Sequence, residues 1–367
     1  TLDSVYYAMF QPDRGPRWQG NIKKYKVSGG VQKGKNGKNA VDDNGFFSED
    51  VTSFWSSSKD GDSVAQGGVA EMLRGLTTER LIYSDLGAGG ALKELTRTNA
   101  IGASAFGSST ALATVLDVAD EDAVIDDYLD WAMGLNTDGV LADDNTTPFM
   151  RPDVFGDPLH SKPVVVNYGN DKVYVVVGTN QGALHMFKDD GTSDEVSEAW
   201  AFMPKELFSN IKPLRENYTS ANKIYGVDGQ ITAHIVDGNG DGVVNGSDKV
   251  WIFFGMRRGG SSYYALDITN PELPSLMWDI KGGSGDFSDL GQSWSQPKVA
   301  YSSLNTSGST AMPVLIFGGG YDIKKDNTGV GGASGDDSLG KAIYMVDAES
   351  GVLKWNLSPS DDTALCR

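Results

Sequence analysis

Between about residue 155 and residue 358, one order of apolar and polar positions occurs three times. A short strand is followed by a very apolar strand ending in glycine. A strand with an aromatic start and a strand carrying tryptophan complete the set. The first copy predicts strands over Pro163–Val166, Val173–Gly178, Ala183–Phe187 and Ala199–Phe202. The second predicts Ile231–Val236, Val250–Gly255, Tyr263–Asp267 and Leu276–Ile280, and the third Pro297–Tyr301, Pro313–Gly318, Ala342–Asp347 and Leu353–Asn356. These runs are rich in Val, Ile, Phe, Tyr and Trp and are separated by Gly, Asp, Asn and Ser, the chemistry of strands and turns.

The spacing is nearly constant. Trp200, Trp278 and Trp355 stand 78 and 77 residues apart, and His185, Tyr264 and Tyr344 stand 79 and 80 apart. A four-stranded antiparallel unit repeated at a fixed interval is the sequence form of a β-propeller blade. Blades bury both faces, which accounts for second strands that are apolar at nearly every position. The expected fold is therefore all-β, a modified β-propeller with an N-terminal insertion containing a short helix. The whole chain, 1–367, is expected to be a single propeller domain. Residues 1–59 supply N-terminal blade strands at Val5–Gln11 and Asn21–Val27, residues 60–150 form the insertion, and residues 155–358 form three blades.

Inside the insertion, Asp117–Ala132 has a helical period: Val124, Tyr128 and Ala132, with Ile125 and Leu129, make one apolar stripe. Its other face carries Asp117, Asp120, Glu121, Asp122, Asp126, Asp127 and Asp130, and reads first as a solvated surface. Residues 29–39 form a Gly/Lys-rich loop. The first residue is Thr1, and the last strand is followed by a polar stretch, Ser358–Arg367. The chain is expected to be a piece of a longer protein that continues into further strands.

Composition narrows the partners. Of 367 residues, 31 are basic and 49 acidic, a net charge of −18, which would repel nucleic acid. No apolar run reaches the ~18 residues of a membrane span. The 46 glycines exceed the usual ~7% and fit many tight turns. The single cysteine, Cys366, excludes an intrachain disulfide and a cysteine-built zinc site.

One motif carries chemistry. Asp237-Gly-Asn-Gly-Asp-Gly-Val-Val-Asn-Gly-Ser-Asp248 matches a twelve-position calcium loop. Asp237, Asn239 and Asp241 occupy positions 1, 3 and 5. Gly242 stands at the sharp turn, and Val243 offers its carbonyl at position 7. Asn245 and Asp248 fill positions 9 and 12. Calcium takes six to eight hard oxygens at flexible geometry, whereas magnesium resists an all-protein cage. Asp248 is one methylene shorter than the usual Glu, and the flanks are strands rather than helices. The loop is thus expected at a hairpin tip in the middle blade, with an affinity on the order of 10⁻⁴–10⁻³ M.

Other constellations fail. His160, His185 and His234 have no metal-ligand spacing, and His185 and His234 lie in strands as structural residues. His160 and Ser161 are adjacent, a poor arrangement for nucleophile and base. No phosphate-binding loop and no nucleophile elbow is present.

Several segments resemble the C-terminal propeller of PilY-type (PilC-type) proteins, the type IV pilus tip adhesins and biogenesis factors. They are Arg17-Trp-Gln-Gly-Asn-Ile-Lys-Lys-Tyr25, Phe46-Phe-Ser48, Ser53-Phe-Trp55, Gly156-Asp-Pro-Leu-His-Ser-Lys-Pro163, Val177-Gly-Thr-Asn-Gln-Gly-Ala-Leu-His185, Tyr225-Gly-Val-Asp-Gly229 and Tyr264-Ala-Leu-Asp-Ile-Thr-Asn-Pro271. The resemblance implies a secreted, calcium-binding, non-enzymatic propeller, extracellular at the pilus tip or associated with the outer membrane of a Gram-negative bacterium. It implies support of pilus extension against retraction, of surface adhesion and of twitching motility. Its implied partners are minor pilins of the tip complex and, through an N-terminal region absent here, host or abiotic surfaces. The calcium ligands it implies are Asp237, Asn239, Asp241, Val243 and Asn245, with Asp248. The blade pattern also resembles quinoprotein dehydrogenases that use pyrroloquinoline quinone with calcium. Their vicinal cysteine pair cannot be supplied by one cysteine.

Overall fold

The computed structural model describes residues 3–141, 144–219, 221–326, 337–359 and 361, so Cys366 and most of the C-terminal stretch lie outside it. In chain order the elements are β1 (Ser4–Gln11), β2 (Gln19–Ser28), β3 (Val31–Lys33), α1 (Gly68–Arg74), β4 (Ile82–Ser84), β5 (Lys93–Glu94), α2 (Arg97–Ala100), α3 (Ser109–Leu116) and α4 (Asp122–Met133). Then follow β6 (Val164–Asn167), β7 (Lys172–Gly178), β8 (Leu184–Asp190), β9 (Glu195–Phe202) and α5 (Ile211–Glu216). The rest is β10 (Ile231–Val236), β11 (Lys249–Gly255), β12 (Ser262–Asp267), β13 (Ser275–Lys281), β14 (Lys298–Ser307), β15 (Thr310–Gly318), β16 (Ile343–Asp347) and β17 (Leu353–Leu357). Every strand of the threefold pattern is present, most within a few residues of the expected bounds; β14 runs on to Ser307, past its expected end at Tyr301.

Each repeat forms an antiparallel meander in sequence order: β6-β7-β8-β9, β10-β11-β12-β13 and β14-β15-β16-β17. The second strands are the most buried, as at Val173–Val177 and Val250–Phe254. All three fourth strands carry a bulge at the same place. Met186 pairs with Trp200 but Phe187 with Glu198; Ala265 with Trp278 but Leu266 with Leu276; Met345 with Trp355 but Val346 with Leu353. The residue before each tryptophan (Ala199, Met277, Lys354) is thus the extra one, and the local bend and added twist re-aim the indole.

The chain divides into two compact units, Thr1–Tyr225 with Asn239–Gly246, and Gly226–Gly238 with Ser247–Arg367. In the second unit, two four-stranded sheets share a core of Trp251, Phe253, Tyr263, Trp278, Leu315, Phe317 and Tyr344. Trp278 donates its indole N–H to the Ala348 carbonyl at 3.0 Å.

In the first unit the insertion does more than sit on a blade. Its strand β4 pairs in parallel with β9, and β5 pairs with β4, so the first sheet has six strands. The helical segment expected over 117–132 is observed as α4, starting at Asp122. Asp117, at φ 57°, is instead the left-handed residue that ends α3. Ile125, Leu129, Trp131 and Ala132 are buried against Leu112, Leu116, Phe208 and Leu214. The acidic face of α4 is partly neutralised: Arg97 meets Asp122 and Asp126 at 2.9 Å each, and Arg215 meets Asp127.

The N-terminal strands join the first blade through buried charge. Residues 21–25 of β2 are buried on both faces, lysines included. Lys24 Nζ lies 2.8 Å from Asp189 on β8, and Asp189 also accepts from Trp55 Nε1 (3.1 Å) and Tyr6 Oη (2.5 Å). Lys23 Nζ lies 2.9 Å from Asp60. A third cluster sits on the blade itself, where Arg80 forks onto Glu198 at 2.6 and 2.7 Å. Glu198 Oε1 accepts from His185 Nδ1 at 2.7 Å, and His185 Nε2 is 3.2 Å from the Thr179 hydroxyl. Packing is also tight at Gly20, where a Cβ would stand 2.0 Å from the Gly156 carbonyl oxygen, so the 17–25 and 156–163 segments meet backbone to backbone. Asp157 there accepts from Asn180 Nδ2 at 2.7 Å and pairs with Lys223 at 2.5 Å.

Two outcomes follow from these clusters. Lys24→Met strands a buried carboxylate, and breaking such a pair from one side costs about 3–5 kcal/mol. Urea unfolding followed by tryptophan fluorescence reads it; a loss below ~1 kcal/mol, the scale of a surface pair, would mean that Tyr6 and Trp55 hold Asp189 unaided. The second outcome concerns acid. Burial would raise the Glu198 pKa, but the charge and hydrogen bonds of Arg80, helped by His185, bring it down to about 2. A depressed carboxylate stabilises the fold above its unfolded value and loses that contribution as pH falls toward 2. Burial also lowers the His185 pKa, so the unfolded chain takes up that proton first and stability declines below the ordinary histidine range. Melting temperature should fall as pH drops below about 6.5, and further below about 4.5. Glu198→Gln should flatten the lower step.

Candidate metal centre

Strands β10 and β11 pair from Ile231↔Phe254 to Val236↔Lys249, so residues 237–248 form the turn between the first two strands of the middle blade, as expected. The glycines shape it: Gly240, Gly242 and Gly246 all have positive φ, with Gly242 at 74° in the position where a calcium loop turns.

Four of the expected ligands are brought together around one carboxylate. Asp241 Oδ2 accepts from Asn239 Nδ2 at 2.9 Å and from Asn245 Nδ2 at 3.0 Å. Asp241 Oδ1 accepts from the Val243 N–H at 2.8 Å. Asn239 Oδ1 in turn accepts from the Asp241 N–H (3.1 Å), and Asn245 Nδ2 also donates to the Val243 carbonyl (3.1 Å). The Val243 N–H, then the Asn245 amide, hold the Asp241 carboxyl below its ordinary pKa. The cluster faces solvent, while the buried Val244 fixes it by donating its N–H to the Asn167 carbonyl at 3.1 Å. The other two expected ligands belong to the second compact unit. Asp237 is half-buried, and the buried Asp248 accepts at Oδ1 from the Gly238 N–H at 2.9 Å.

The donor set suits a hard cation. Carboxylate, carboxamide and backbone carbonyl oxygens within one hydrogen-bond span are calcium's ligand types, and the two Nδ2 groups occupy the space between them. Among the described residues, no three or more histidine, cysteine or acidic side chains gather closely enough to hold a metal. The reason is compositional: the cluster has one carboxylate, and its other donors are amides and a carbonyl.

The histidines take the structural places expected of strand residues. His185 is fully partnered, and His234 packs on Trp251 and Tyr301 at 5.8 and 6.3 Å between ring centres. His234 Nε2 is buried without a hydrogen-bond partner, and burial lowers its pKa. His160 lies against Tyr225, ring centres 6.4 Å apart. The buried Lys23, Lys24 and Arg80 clusters were not foreseen. Two consecutive buried lysines in an alternating strand were the available signal, because one of them must face a core on either register.

Successive four-stranded antiparallel meanders with equivalent bulges define a β-propeller protein. Residues 166–358 match the family described as PilY1 beta-propeller domain, and the chain belongs to that family. The type IV pilus biogenesis factor PilY1 of Pseudomonas aeruginosa strain PAO1 is 28% identical over 194 residues, 52% of this chain and 14% of that protein. A PilY1 homolog of Xylella fastidiosa is 28% identical over 207 residues, covering 48% and 15%. The crystal structure of the P. aeruginosa PilY1 C-terminal domain aligns over 52% of this chain and 30% of that one, at 27% identity and a TM-score of 0.33. The match thus spans about a seventh of the length of these relatives. No helix among the described residues is long and apolar enough to cross a membrane.

If Asp241 is the hub, its protonation must release both amides. The Nδ2 resonances of Asn239 and Asn245 should move together as pH falls through the depressed titration of Asp241. Asp241→Ser should produce the same shifts at neutral pH. Amide signals that ignore both changes would mean that the loop is organised by its backbone alone.

Proposed function

We propose that this chain is a calcium-binding, non-catalytic propeller module of a type IV pilus biogenesis factor. Family membership supports the pilus assignment, since the relatives are named as type IV pilus biogenesis factors. The observation that carries the calcium reading is the convergence of Asn239, Val243 and Asn245 on Asp241 in a turn with twelve-position register. Asp237 and Asp248 complete that register in the sequence. When bound, the ion would supply charge that draws hard oxygens to one centre.

The chain's own residues account for the rest. Without a cation, amide protons of Asn239 and Asn245 bridge the oxygens, which leaves an exposed cluster held by solvent-accessible hydrogen bonds. Asn239 and Asn245 would hold a cation through Oδ1 once their carboxamides rotate, alongside the Asp241 carboxylate and the Val243 carbonyl. The turn would then stiffen on the base that Val244 fixes. In this reading the braced turn is a surface for minor pilins at the tip, and calcium favours pilus extension over retraction. An extracellular tip location, adhesion and twitching motility belong to the same proposal.

Calcium should raise the melting temperature of the chain, with the size of the shift set by concentration over Kd. Asp241→Ala should abolish the shift and leave the β-rich circular dichroism intact. Cells carrying Asp241→Ala should make the protein yet lose surface pili. Identical melting in chelator and in millimolar calcium would remove the metal from the proposal, and normal piliation in the mutant would remove it from the pilus mechanism.

A further inference from the structure

Lys23 and Asp60 form a buried pair away from the calcium turn. Their side chains are 0% and 1% exposed, and Nζ stands 2.9 Å from Asp60 Oδ2. The surroundings are arranged about the carboxyl group. Asp60 Oδ1 accepts from the Ser53 N–H at 2.8 Å. Oδ2 accepts from the hydroxyls of Ser53 (2.8 Å) and Ser56 (3.0 Å), which are themselves 2.6 Å apart. Nζ is held in place by the carbonyls of Asp60 and Gly61, at 3.1 and 3.0 Å. Burial pushes the Lys23 ammonium below the ordinary lysine pKa, against the opposing hydrogen bond and charge of Asp60.

We propose that Lys23 and Asp60 condense into an intramolecular isopeptide bond that staples β2 to the turn preceding α1. A proton first crosses from Nζ to Oδ2 along their 2.9 Å contact, leaving an amine and a carboxylic acid. Nζ then attacks Cγ. The developing charge falls on Oδ1, where the Ser53 N–H stands as an oxyanion donor. A second proton passes from the nitrogen to Oδ2, on which the Ser53 and Ser56 hydroxyls converge, and Oδ2 departs as water. One C–N bond forms and one C–O bond breaks, with no change of oxidation state and no co-reactant. Fixed approach of the two groups replaces activation, since well-oriented intramolecular partners reach effective molarities of about 10⁵–10⁸ M. Exclusion of water protects the product amide from hydrolysis. The neighbouring pair lacks this arrangement: Lys24 is divided between Asp189 and Asp194, at 2.8 and 3.2 Å, so no single carbonyl carbon is presented to it.

The test is the intact mass of the purified chain. It should be lighter than its summed residues by one water, and a tryptic digest should yield residues 18–24 joined to residues 60–74. Lys23→Met and Asp60→Ala should each have the mass their sequences give, folded or not. Ser56→Ala should slow bond formation and leave mixed masses. An unshifted wild-type mass after prolonged incubation of the folded chain would mean an ion pair only, and would overturn the proposal. A water loss that persists in Lys23→Met would be cyclisation at Asp60-Gly61, and would overturn it equally.

Discussion

A charge withdrawn from water must meet its counter-charge in the same place, and the first compact unit is organised around that constraint. Lys23, Lys24 and Arg80 are buried or nearly so, and each ends on a carboxylate: Asp60, Asp189 and Glu198. Such pairs contribute little net stability relative to apolar replacements, because desolvation offsets most of the attraction. Their effect is on choice. A β2 strand shifted by one residue would put one lysine in the other's place and leave the second carboxylate buried against Ile22 or Tyr25. Register, strand partner and sheet face are therefore fixed together. Backbone contact at Gly20 and the bonds of Asp157 extend the same lock to the entrance of the first blade.

The second unit is built on different terms. Its two sheets meet through aromatic and aliphatic side chains, with ring pairs such as Tyr263–Phe317 at 4.3 Å and Phe253–Trp278 at 5.8 Å. Area burial supplies the stability there, and the bulge ahead of each tryptophan supplies direction. The same bulge has different consequences in different blades. Trp200 is fully buried, Trp278 is 8% exposed beneath the turn after β16, and Trp355 is 40% exposed. An identical sequence feature is core or surface according to what packs over it.

Against this rigid frame the turn at 237–248 is a polar exception. Its tip is exposed and rests on one buried valine, and one carboxylate collects three neighbours.

Periodicity along the chain determines a large part of this fold. The spacing of Trp200, Trp278 and Trp355 and the apolar second strands specify three meanders, because side-chain alternation and blade burial act over a few residues at a time. The register of Asp237–Asp248 likewise places the candidate ligands on one short turn, since all of them are local. What lay beyond the sequence depends on contacts between distant segments. Nothing in Ile82–Ser84 announces that it will lie parallel to β9, and Asp117 is read as helical until α3 claims it as a cap. Nor does the sequence pair Lys24 with Asp189, 165 residues away, or Arg80 with Glu198, 118 away. Local pattern decides which residues become strands; only the folded chain decides which buried charges meet, because that choice is made by desolvation after the segments come together.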